Sequence, residues 1–381
     1  MSAADVTICI PTWQAEPFIA RTLACARAQT HKNVRILVSV DQSTDGTETI
    51  CRTQAKEDPR LDVRVQKERL GWARNANFLL DQVDTEFCFL YFHDDIIEPA
   101  YTERLREILV GHPDVRSAHC DMETFGNKKV MMPGCDFDGT AAERMIKFLL
   151  IPLPLVPLRS LFRSELLAKG LRVPLIGADS FWRPYPFLVN LVAAGTAKRL
   201  PEILYRRWER DGSITKIWGP KSHDPLIDGQ QQSAKLCLDV IRRMNLTQAE
   251  EELVIFSLYV SLMTLTRKYE ERMKSDRLVA PEVISESFGA LGLRANAPPV
   301  EADVFEKILR AYAILLALEA NHDLEHGNAH SALLAYTTAL SLYPDWPGAH
   351  GAIGKMLSAE GQTLRASAVG HRFRKLKNKA D

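Results

Sequence analysis

His93-Asp94-Asp95 ends an apolar run, residues 87–92 (FCFLYF), and Pro99 stops any strand from continuing far beyond it. Two adjacent carboxylates at the end of a buried strand are costly unless something offsets their charge. A hard divalent cation suits that place, because it takes oxygen ligands and can hold substrate phosphates at the same time. The bland alternative is an exposed Asp-Asp turn that caps the strand, and an isolated pair would more often be that. Asp41 ends a second apolar run, residues 34–40, and Pro11-Thr12-Trp13 ends a third, residues 6–10. Taken alone, Asp41 would be a turn or N-cap residue. Arg206, Arg207 and Arg210 share one later loop and would suit a diphosphate, since guanidinium groups bind phosphate oxygens bidentately; the alternative is a set of solvated arginines. His93 has no second histidine at metal spacing.

These groups act together only if the fold brings the strand ends to one edge. Strands are expected at residues 6–10, 34–40, 62–66 and 87–92, with helices at 16–28, after the 41–47 loop, and from Gly71 to about residue 80. Pro17 suits a first helical turn, and Ser43, Thr44 and Asp45 are N-cap types before Gly46. Strands alternating with helices imply a parallel sheet covered on both faces, whose ligands bind beyond the carboxyl ends of the strands. Further helices are expected at 101–110, 141–150 and 161–169, the last ended by Gly170, and another runs to residue 194. Strands are expected at 117–124 and 197–204, with a loop at 127–138.

Composition narrows the class. The 381 residues carry 48 Lys+Arg against 48 Asp+Glu, so bulk attraction to nucleic acid is not expected. Seven scattered cysteines without a CxxC read as reduced thiols, not as a disulfide framework or zinc site. The N-terminus shows no signal-peptide pattern, and no apolar stretch is long enough to span a bilayer, so a cytoplasmic protein is expected, with peripheral contact at the inner membrane face left open. PTWQAE follows the first strand instead of GxGxxG, and there is neither a P-loop nor a GxSxG elbow.

Three linked segments, TICIPTWQAEPFIARTLACARAQTHKNVRILVSVDQSTDGT, LGWARNANFLL and FLYFHDDIIEP, resemble in order and spacing the nucleotide-binding half of a family 2 glycosyltransferase with the GT-A fold. The resemblance implies an α/β nucleotide-diphospho-sugar transferase fold with a mostly parallel sheet. It places Pro11, Thr12, Trp13, Glu16 and Asp41 at the donor, with the Pro11–Trp13 loop and Asp41 on the base. Gly71, Arg74 and Asn75 lie beside the base and ribose-diphosphate, and Arg207 and Arg210 on the phosphates. Asp94 is the implied ligand of Mg²⁺ or Mn²⁺, with Asp95 next to it. Residues 175–182, LIGADSFW, resemble the family's acceptor-side segment, which maps Asp179 onto the general base of an inverting reaction. The implied donor is a nucleotide-diphosphate sugar, UDP-sugar first, and the acceptor a saccharide, protein or peptide. Four departures stand out. Gln14 replaces a frequent Asn, Phe92 the first aspartate of the motif, and Ala178 the first acid of the pair. Arg210 stands near where some members carry a metal-ligand histidine.

The chain is expected to divide into a transferase domain at 1–222, a helical linker region at 223–302 and an all-α region at 303–381. Gly327 and Gly361 stand 34 residues apart, the tetratricopeptide period, and Ala332, Tyr336, Ala339 and Pro344 match that repeat's small-large pattern. Such a region would bind a protein partner or a second copy of the chain. A rival reading takes Phe92 and Ala178 as marks of a decayed site, leaving a non-catalytic adaptor that works through the repeats.

Overall fold

The computed structural model describes residues 4–150, 156–177, 184–210 and 223–248, with scattered positions from 250 to 356. The first half alternates as expected: β1 (Val6–Thr12), α1 (Ile19–Arg27), β2 (Val34–Val40), α2 (Thr47–Ala55), β3 (Leu61–Val65), α3 (Trp72–Leu80) and β4 (Phe87–Leu90). Every residue of β1 and β4 is buried, as is all of β2 except Arg35, which fits runs rich in β-branched, aromatic and other apolar side chains and covered on both faces. β5 (Ile96–Ile97), α4 (Tyr101–Gly111), β6 (Val115–Gly126), β7 (Met131–Met132) and α5 (Ala141–Leu150) follow.

Nine strands form one sheet among the described residues, in the order β3-β2-β1-β4-β8-β6-β9-β5, with β7 hydrogen-bonded to β6. β1 to β4 are parallel to one another. β8 (Leu161–Arg163) then runs antiparallel to both β4 and β6, and β6 runs parallel to β9 (Thr196–Glu209). The sheet is therefore mixed rather than mostly parallel. The 161–169 segment, expected as a helix, is β8 plus one short helix, α6 (Glu165–Ala168). Leu161 and Phe162 are buried, and Phe162 pairs with Cys88 on one side and Ser117 on the other, so tertiary pairing overrides local propensity. α7 (Pro184–Ala193) precedes β9, which extends beyond the expected 197–204 because it follows β6 along its whole length.

The helical linker region expected from residue 223 opens with one helix, α8 (His223–Arg242). The first compact unit comprises Met1–Phe148 and Leu153–Ile255; the second comprises Leu149–Pro152 and Phe256–Asp381. In the second unit, Ala320, Ala332, Tyr336, Ala339, Ile353 and Met356 are buried helical residues, and most other positions of the expected repeats lie outside the described residues. No helix among the described residues is long and apolar enough to cross a membrane.

Next to the site, β6 and β9 hold a buried polar cluster. Arg199 clasps Asp121 through two bonds of 2.7 and 2.6 Å, and Asp121 also accepts from the Gly134 amide at 2.9 Å. His119 is fully buried beneath Gly134, where an added Cβ would lie 2.7 Å from its ring. Neither ring nitrogen has a hydrogen-bond partner of good geometry among the described residues. Burial above all pushes His119 down to about 4, against the favourable charge of Asp136 and the Cys135 backbone. The folded state thus binds this proton more weakly than the unfolded chain. His119's contribution is undiminished above its ordinary value near 6.5 and is lost as pH falls towards 4. His119→Leu should abolish this loss: between pH 7.5 and 5 the wild type should lose about 2 kcal/mol relative to the variant in urea unfolding. A stability difference that does not change with pH would contradict the assignment.

Candidate functional site

The site is built where β1, β2 and β4 end together. Thr12 is level with Val40 in the β1–β2 register, and the Asp41 amide donates to the Thr12 carbonyl at 2.8 Å, so Trp13 and Asp41 emerge side by side. The Asp41 carboxylate is almost fully buried. It accepts from the amides of Leu70 at 2.7 Å and Gly71 at 2.9 Å and from the Arg69 guanidinium. Asp41 is thereby the anchor of the turn before α3. Gly71 takes φ +78° at the start of that helix, a value side-chain-bearing residues rarely adopt. Arg69 also lies over Trp13, its guanidinium carbon 3.7 Å from the ring centre.

The loop after β4 is tied to its neighbours from several sides. The Trp13 amide donates to His93 Nδ1 at 3.3 Å, which makes that nitrogen the acceptor. Thr22 Oγ1 donates to the His93 carbonyl at 2.6 Å and Arg21 Nη2 to the Asp94 carbonyl at 2.9 Å. The two carboxylates then part. Asp95 turns inward and accepts from Tyr205 Oη at 2.7 Å and the Trp208 amide at 2.9 Å, with Arg159 at 3.7 Å. Burial first, and the Asp94 charge second, push Asp95 up to about 6. Asp94 stays partly exposed and pairs with Arg210 at 3.4 Å. Arg210 packs over Phe18 and Trp208, at 4.8 and 5.5 Å from the ring centres. Arg207 is half-buried, and burial together with the nearby Arg159 lowers its pKa, yet a guanidinium remains cationic at neutral pH. Phe92, in place of an acid, stacks under Arg159, 4.6 Å from its guanidinium carbon.

The residues expected at the donor fall into two groups. Trp13, Asp41, Gly71, Asp94, Arg207 and Arg210 line the carboxyl edge, and Arg74 is exposed on the first turn of α3. The others are bound into the protein. Pro11 and Thr12 are buried. Glu16 accepts from the Gly46 amide at 2.8 Å, clamping the 41–47 loop. Asn75 is buried, sharing one bond with Ser39 Oγ and donating to the Ser39 carbonyl at 3.0 Å. Asp95 belongs with this group as a positioning residue. Arg206, which also suited a diphosphate, is taken by Glu98 at 3.0 Å and Glu123 at 2.8 Å. Asp179 and Ala178 lie outside the described residues. Reading residue types alone did not single out Arg21, Arg69 or Arg159. The sole hint was chemical: two adjacent aspartates at a buried strand end need cations, and the chain supplies arginines from distant segments.

Among the described residues, no three His, Cys, Asp or Glu side chains gather closely enough to form a metal cage. The partly exposed Asp94 carboxylate nevertheless fits Mg²⁺ or Mn²⁺ of the kind held by one carboxylate, substrate phosphates and water.

Residues 7–148 match the family described as Glycosyl transferase family 2. Over 105 residues the chain is 29% identical to glycosyltransferase GlyA of Streptococcus pneumoniae, spanning 28% of this chain and 15% of that protein. Over 124 residues it is 27% identical to the GalNAc(5)-diNAcBac-PP-undecaprenol beta-1,3-glucosyltransferase of Campylobacter jejuni, spanning 32% and 40%. The chain thus spans less than half the length of either relative. The crystal structure of S. aureus TarS 1–349 in complex with UDP-GlcNAc superposes with a TM-score of 0.62 over 87% of this chain and 90% of that one. At 16% identity the likeness is one of fold.

The opposite orientations of the two aspartates make their variants separable. Asp95→Ala strands the Tyr205 hydroxyl and the Trp208 amide and should cost about 2 kcal/mol in urea unfolding. Asp94→Ala breaks one long, partly exposed pair and should cost less than about 1 kcal/mol. Equal losses would contradict the division.

Proposed function

We propose that the chain is an inverting, metal-dependent glycosyltransferase that moves a sugar from a nucleotide diphosphate to an acceptor hydroxyl on a saccharide, protein or peptide. One observation carries this reading: the loops ending β1, β2 and β4 bring an aromatic side chain, a buried carboxylate and a partly exposed carboxylate to one edge, where Arg210, just after β9, pairs with the exposed carboxylate. A nucleotide diphosphate needs that order of groups, from base to phosphates. The complex of TarS with UDP-GlcNAc favours a uridine diphosphate sugar as the donor to try first.

Trp13 and Asp41 receive the base in this reading. Arg207 and Arg210 bind the diphosphate through charge-assisted bonds, which strengthen as charge builds on the leaving oxygen. Asp94 would be the residue that holds Mg²⁺ or Mn²⁺. When bound, the ion supplies Lewis-acid stabilisation of the leaving diphosphate. A sugar or peptide hydroxyl is a weak nucleophile, so a base within hydrogen-bond reach must take its proton in the transition state; Asp179 is assigned that role. The acceptor oxygen bonds to the anomeric carbon from the face opposite the diphosphate as the carbon–phosphate oxygen bond breaks. The proton passes to Asp179 and the nucleotide diphosphate departs, a single displacement with inversion.

Purified protein incubated with UDP-, GDP- and dTDP-sugars, with Mn²⁺ or with EDTA, tests this by counting released nucleotide. Release from one donor with Mn²⁺, its loss in EDTA, and a fall of about 100-fold in Asp94→Asn are expected. Unchanged release in Asp94→Asn would remove the ion from Asp94. Neither release nor nucleotide binding with any donor would favour a non-catalytic adaptor.

A further inference from the structure

We propose that Arg69 is a built-in competitor for the nucleobase, occupying the Trp13 face and the Asp41 carboxylate until a base displaces it. This rests on the donor reading above and adds to it a residue that sets nucleotide affinity.

With its guanidinium carbon 3.7 Å from the Trp13 ring centre, Arg69 is in direct stacking contact, and no planar ring can lie between the two. The same guanidinium is paired with Asp41, whose two oxygens already accept the Leu70 and Gly71 amides. A carboxylate has about four lone-pair sites, and Arg69 holds one of those left after the two amides. A base that stacked on this face would have to displace the Arg69 guanidinium from Trp13, and one that donated a ring N–H to Asp41 would compete with Arg69 for the same carboxylate. The two partners differ in exposure: Asp41 is 1% exposed and fixed by backbone amides, whereas the Arg69 side chain is 39% exposed and has solvent to turn into. The exchange can thus proceed without moving the turn, because the amides that hold Asp41 belong to Leu70 and Gly71, not to the Arg69 side chain.

Competition of this kind lowers affinity only for ligands that carry a base. Inorganic pyrophosphate, which would use the arginines and Asp94 but not Trp13, should be indifferent to Arg69. Calorimetric titration of the whole chain with UDP and with pyrophosphate, each with Mn²⁺, separates the cases. Arg69→Ala should bind UDP about tenfold more tightly than wild type, with pyrophosphate binding unchanged; tenfold corresponds to about 1.4 kcal/mol of competing contact. Arg69→Lys keeps the charge but loses the flat stacking surface and should fall between them. Weaker or unchanged UDP binding in Arg69→Ala, or parallel changes for UDP and pyrophosphate, would overturn the proposal. Failure of the donor reading itself has a different signature, no binding of UDP, GDP or dTDP to either wild type or variant, and it takes the competitor role with it.

Discussion

The carboxyl edge of the sheet depends on one buried charge. Asp95 receives the Tyr205 hydroxyl and the Trp208 amide from β9 and stands beside Arg159 from the turn before β8. Its carboxylate therefore ties the loop after β4 to a strand far along the chain. An ionised carboxylate there is expensive, which is why the group is held near 6 and why three partners surround it. In return, the adjacent Asp94 is left pointing at the open edge, with Arg210 as its counter-charge. Two neighbouring aspartates thus have unlike settings, one buried and fixing the loop, the other partly exposed beside Arg210.

A second constraint acts at the end of β1. Gln14 adopts φ +45°, a left-handed value unusual for a residue other than Gly, Asn or Asp. Its amide donates to Ser43 Oγ at 3.0 Å, and its side-chain oxygen accepts from the Thr44 amide at 2.7 Å. These bonds hold the bend that aims Trp13 across the edge. Asparagine tolerates this conformation better, which gives a physical meaning to the departure seen at position 14. Strain of this kind is tolerated where the surrounding bonds over-determine it, and here they join the β1 and β2 loops on which the base-side groups sit.

Much of the first 150 residues was legible because the signals there are local. Fully buried parallel strands read as apolar runs, and their ends mark where polar groups gather, which is where Trp13, Asp41 and Asp94 stand. The misreadings were non-local. Residues 161–163 form a strand only because β4 and β6 leave a gap between them for Phe162. Asn75 and Glu16, which the resemblance sets at the donor, bond to Ser39 and Gly46 across the chain. No spacing rule reports that Arg159 shields Phe92 or that Arg69 covers Trp13. Such contacts exist only after the sheet has formed.

The proposed function requires the three strand-end loops to receive a nucleotide diphosphate together. Hydrogen exchange of the whole chain, with and without UDP and Mn²⁺, tests that claim at the level of individual amides. The Trp13 amide and the Leu70 and Gly71 amides on Asp41 should slow together, along with the Trp208 amide, while exchange in β3 stays as it was. Protection elsewhere without any change at Trp13, Leu70 and Gly71 would contradict the account, whatever the affinity measured.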